Sequence, residues 1–108
     1  MATPPTGIRT SDPIDLTLED ITASLTDLPS ILEDQERGEL SEHERDVLSM
    51  EWICEVHHLR HILDPTYRSG RMTPAQQERY RALLARLKDA MPILERLDFA
   101  WPQVPLEP

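Results

Sequence analysis

The sequence predicts an all-α protein: an antiparallel three-helix bundle with kinked outer helices, its core completed by dimerisation. Three observations lead there. Ser41 with Glu44, and Thr73 with Gln76, are capping boxes, in which side chains satisfy the backbone N–H groups left free at a helix start. Apolar residues, mostly leucine, recur at spacings of three and four through three long segments. Gly38 and the Asp64-Pro65 pair supply stops between those segments.

Residues 1–13, MATPPTGIRTSDP, hold almost nothing apolar and are expected to form a flexible arm. A helical domain is expected over 14–98. Helix 1, about 17–37, opens at Thr17 with Asp20 completing a weaker capping box. Leu18, Ile21, Leu25, Leu28 and Leu32 then make a seam of the coiled-coil kind. Pro29 removes a backbone bond and crowds the preceding turn, so a kink or two collinear pieces are expected near Leu28.

Helix 2, about 42–63, is the centre of the chain. Glu42, Glu44 and Asp46 suit the positive end of its dipole, and Asp64-Pro65 is expected to stop it. On a helical projection Leu48, Trp52, Val56, Leu59, Ile62 and Leu63 share a core-facing stripe roughly 120° wide. A thinner second stripe carries Val47, Met50, Cys54, His58 and His61. Two semi-apolar faces ask for two neighbours, and in a chain this short one of them is expected from a second subunit.

The stretch DPTYRSGRM reads as a loop, in which Arg68 and Arg71 are candidates for anion binding. It is too long for the tight turn of a helix-turn-helix DNA reader. Helix 3, about 74–98, starts on Thr73, with Pro74 in the first turn where its missing N–H is harmless. Tyr80, Leu83, Leu84, Leu87, Ala90, Met91, Leu94 and Leu97 form its apolar face, and Pro92 is expected to bend it. The last ten residues, FAWPQVPLEP, are expected to be an extended Pro-rich tail. Its Phe99 and Trp101 either fold back over the helix ends or dock on another protein.

Composition narrows the function. The 108 residues fit one domain at most. The folding part, roughly 80–85 residues, is near the size where a single core becomes marginal. Formal net charge is −9, unevenly spread. Residues 1–58 carry 3 Arg/Lys against 14 Asp/Glu, a net of −11, while residues 59–108 carry 8 against 6, a net of +2. The overall sign argues against nucleic acid, whose binding depends on phosphate neutralisation. No apolar run is long enough for a bilayer and no charged-then-apolar leader is visible, so neither a membrane nor secretion is expected. A single cysteine, Cys54, accords with a reducing cytoplasm.

One constellation of chemically capable residues lies on helix 2. Glu51, Glu55 and His58 share a face, and Glu55-x-x-His58 has the spacing of helical carboxylate metal sites. Cys54, His58 and His61 have the same i, i+4, i+7 relation and would suit zinc. Helices 1 and 3 contain no histidine, so a second subunit would have to complete either site. The histidines also suit a helix C-terminus without any metal. The expectation is therefore no cofactor, with Zn, Fe or Mn as the alternative. With no glycine-rich phosphate loop and no nucleophile–base geometry, catalysis is not expected. The expected function is a non-catalytic interaction module (an adaptor, a regulator or a small assembly subunit) working as a homodimer. Met50, Cys54, Phe99 and Trp101 are the interface candidates.

Overall fold

A computed structural model describes residues 12–108. Among these the chain is entirely helical apart from loops and the C-terminal segment: α1 (Pro13–Glu36), α2 (Glu42–His58), a π-turn (Leu59–Leu63), α3 (Asp64–Arg68) and α4 (Pro74–Leu97). The expected arm 1–13 lies, up to residue 11, outside the described residues.

α1 starts four residues before the expected Thr17. Asp12 is the N-cap, its carboxylate accepting from Ile14 N at 2.9 Å, and Pro13 fills the first helical position. The Asp-Pro pair is the stronger start signal; Thr17 and Thr22 instead donate to the Pro13 and Leu18 carbonyls one turn back. The expected seam is in place: Leu18, Ile21, Leu25 and Leu28 are buried and Leu32 packs beside them. α1 runs through Pro29, and α4 through Pro92, as single helices. Gly38, at φ +73°, closes α1 as expected.

The expected stop at Asp64-Pro65 is not one. The backbone stays right-handed helical across the π-turn, with Asp64 at φ −63°, ψ −46°. Asp64 N–H reaches back five residues to Leu59 O instead of four. That wider turn makes room for the Pro65 ring and places proline in the first turn of α3, where no N–H is required. Thr66 Oγ1 donates to the Ile62 carbonyl at 2.7 Å, giving it a partner. The helix ends instead at Gly70, φ +76°, with Gly70 N and Arg71 N bonded back to Tyr67 O and Thr66 O. The π-turn also changes the direction in which side chains leave the axis. Leu59 and Leu63 remain in the core with Trp52 and Val56, but Ile62, expected among them, is exposed.

The rods run up, down, up. Contacts between α1 and α4 keep step along both helices: Asp15 with Arg79, Thr26 with Arg86, Glu36 with Arg96. Gln76 ties their N-termini together, its buried amide donating to Asp12 (3.0 Å) and Asp15 (3.2 Å) while its Oε1 completes the Thr73 capping box. α2 runs the other way: Arg45 near its start donates to Leu97 O, and α3, beyond its far end, meets α4 through Asp64 and Tyr80. Tyr80 is fully buried and its hydroxyl donates to Asp64 Oδ1 at 2.8 Å. Burial, then that carboxylate, raise its pKa far above the ordinary tyrosine value.

The C-terminal segment folds back along α2. Asp98 takes the left-handed conformation (φ 58°) and reverses the chain, so that Phe99, only 4% exposed, lies in the core under the Arg45 guanidinium. The Trp52 indole N–H donates to Ala100 O at 2.6 Å. Arg60 then holds Gln103, and Arg68 holds the carbonyls of Pro105, Glu107 and Pro108. Pro102 is buried, and Val104 and Leu106 pack on the core. Trp52→Ala removes both the ring and the bond to the tail. An unfolding free energy lower by about 3–5 kcal/mol is expected in urea titration; a loss under about 1 kcal/mol would place the ring outside the core.

Candidate functional site

Three of the large apolar residues left exposed among the described residues, Val47, Met50 and Ile53, lie on α2, on the side and flank away from the core. Trp52 and Val56 point inward and are buried. Residues half a turn from them point outward: His43, Val47, Met50, Cys54 and His57, all exposed. Their spacing of 4, 3, 4 and 3 is that of a coiled-coil seam, and His61 continues it across the π-turn. Met50 is 62% exposed, with Val47 and Ile53 also large, apolar and open to solvent. The stretch from His43 to Cys54 is slightly concave, floored by Val47, Met50 and Cys54 and edged by Asp46 and Glu51.

The structure divides the four interface candidates. Met50 and Cys54 are exposed on this face. Trp101 is 58% exposed on the returning tail. Phe99 is committed to the chain's own core, because the left-handed turn at Asp98 points the chain inward just before it. Ile53 and Val47 join the face although neither is among those four. Val47 lies opposite the core stripe and Ile53 on its flank, and an exposed β-branched aliphatic at those positions is the signal in the sequence that marks them.

The metal candidates do not assemble. Among the described residues no three His, Cys, Asp or Glu side chains are gathered in a way that would hold an ion. Glu55 is the reason for the first set. Its side chain is part-buried toward α1, near Asp20, while His58 and Glu51 stay exposed. For the zinc set, Cys54, His58 and His61 are all exposed, but it is His57 whose ring lies against His61, centroids 4.4 Å apart. The π-turn changes the angular step beyond Leu59 and removes the i, i+4, i+7 alignment drawn on a regular helix.

Of the two anion candidates, Arg68 is largely taken up by the protein itself. Arg68 lies at the end of α3, not in a loop. It donates to Asp64 at 3.3 Å and to three tail carbonyls, with its guanidinium 5.1 Å from the Tyr67 ring centroid. Arg71 Nε donates to Ser69 Oγ at 2.9 Å.

Glu55 has an electrostatic signature of its own. Burial, then the nearby Asp20 carboxylate, raise its pKa, while His58 pulls the other way. Its Oε2 is buried without a hydrogen-bond partner. No protein family matches the chain, and no curated protein or solved structure does. No helix among the described residues is long and apolar enough to cross a membrane.

The geometry at Glu55 and the scattered metal candidates each lead to a measurable outcome. A raised folded-state pKa means that the folded chain holds the proton more tightly, so the Glu55 contribution is favourable in acid and is lost as pH rises through that pKa. Glu55→Gln carries no charge at any pH. It is expected to match or exceed the parent at neutral pH, within about 1 kcal/mol, with the difference shrinking in urea titrations run toward the ordinary glutamate range. A variant clearly weaker than the parent at neutral pH would mean that the carboxylate is bonded. For metal, protein purified without an affinity tag is expected to carry well under one ion per chain by mass spectrometry, and a chelator should leave Tm unchanged. Stoichiometric zinc, iron or manganese, lost in His58→Ala, would reverse that expectation.

Proposed function

We propose that this protein is a non-catalytic interaction module, an adaptor, regulator or small assembly subunit, that works as a homodimer through the outward face of α2. In this reading the dimer completes the apolar surface of a small bundle whose outer helices bend at Pro29 and Pro92 to fit it. The observation that carries the reading is the seam of Val47, Met50 and Cys54: apolar residues at coiled-coil spacing on the side of a helix whose opposite side already fills the core. Scattered exposed apolar residues are ordinary, but a contiguous row along one helix is the usual mark of an interface. Tyr80, Asp64 and Arg68 form one bonded group, and its members are consumed in fixing α3, α4 and the tail to one another.

Light scattering on the purified chain at micromolar concentration is expected to give about twice the 12.5 kDa chain mass. Met50→Glu, which puts a charge in the seam without touching the core, is expected to give a monomer with unchanged helical circular dichroism. A parent protein that is already monomeric under these conditions would sink the reading.

A further inference from the structure

Resting on the reading of α2 as a self-association surface, we infer that the second copy lies antiparallel on it, across a two-fold axis passing beside Trp52. The argument is one of charge and register. The seam His43, Val47, Met50, Cys54, His57 and His61 is symmetric in spacing about position 52. In an antiparallel pair each layer joins one early and one late seam position. Met50 then packs on the partner's Cys54, and Val47 on the partner's His57. The largest apolar side chain of the face sits nearest the axis, and the histidines fall at the two wet ends.

The flanks of the seam are electrically polar along the helix. The N-terminal half carries Glu42, Glu44 and Asp46; the C-terminal half carries His57, His58 and Arg60. A parallel pair would lay the acidic halves against each other and align the two helix dipoles, both unfavourable. An antiparallel pair brings Glu44 beside the partner's His58, and Asp46 beside the partner's Arg60, whose guanidinium also holds Gln103 of its own chain. It also runs the two helix dipoles in opposite directions. Ile53 meets its own copy on one flank and extends the apolar contact. Glu51 meets its own copy on the other, the one like-charge encounter of the arrangement. The axis makes the interface isologous and closed, so assembly stops at two.

Disulfide trapping reads the orientation directly. In a Cys54→Ala background, Val47→Cys and His57→Cys are made singly, and each is oxidised alone and as an equimolar mixture. Both positions are exposed, so neither change disturbs the fold. The antiparallel pair is expected to give a cross-linked band of double mass in the mixture and none from either variant alone, and the band should disappear when Met50→Glu is added to both. Cross-linking of each variant with itself, and not in excess in the mixture, means a parallel pair and overturns the orientation while leaving self-association through α2 intact. A dimer by light scattering with no cross-link in any sample places the contact on another face and overturns the inference. A monomer in the Cys54→Ala background and in the parent alike removes the interaction reading on which it stands.

Discussion

The architecture depends on the return of the chain at Asp98. Three helices built mostly from leucine, with few aromatic residues, leave the groove beside α2 only partly filled. The left-handed residue at the end of α4 turns the chain back into it. Phe99 and Pro102 are buried there, and Val104 and Leu106 pack alongside. The Trp52 indole bond to Ala100 O satisfies a polar group that would be costly to bury alone, and ties α2 to the tail rather than to α4 alone. A segment that would otherwise be a loose appendage is thereby part of the core, which matters for a chain close to the lower size limit of single-core domains.

The π-turn serves the same end. Had the rod stopped before Pro65, Tyr67 and Arg68 would sit in a loop and the end of the tail would lose its anchor. By continuing to Arg68, the helix places Asp64 under the Tyr80 hydroxyl and aims the Arg68 guanidinium at the carbonyls of Pro105, Glu107 and Pro108. These carbonyls belong to an extended segment with no ladder or helix to bond them, and a five-donor guanidinium is well suited to several at once. The same device that accommodates a proline thus closes one end of the molecule.

What remains unspent is the far side of α2. α1 and α4 are held together along their lengths by leucines, by Gln76 and by two ion pairs, Asp15–Arg79 and Glu36–Arg96. Among the described helices α2 carries more large exposed apolar residues, Val47, Met50 and Ile53, than α1, which has Leu16. That asymmetry, rather than any polar cluster, is the feature most in need of a functional account. It is why an interaction role is preferred to a metal or catalytic one.

Much of this was legible in the residues. Capping boxes at Ser41 and Thr73, the glycine ending α1, the seam of α1 and the broad apolar face of α4 are local or periodic signals, and helices are local structures, so the sequence determined their existence, their buried faces and the second face of α2. The tertiary structure decided the rest. Proline at 65 reads locally as a stop because its penalty belongs to a regular helix; a π-turn, stabilised by Leu59 and Leu63 in the core, removes that penalty, and no local signal announces it. Gln76 as a buried tie between parallel helices and Arg68 as a tail clamp each depend on a partner tens of residues away. So do the fates of Phe99 and Trp101, which differ only in whether the backbone after Asp98 carries them toward the core or away from it. Spacing along a chain specifies which residues share a helix face; only packing settles which neighbour that face meets, because the free energy that chooses it belongs to the contact and not to the helix.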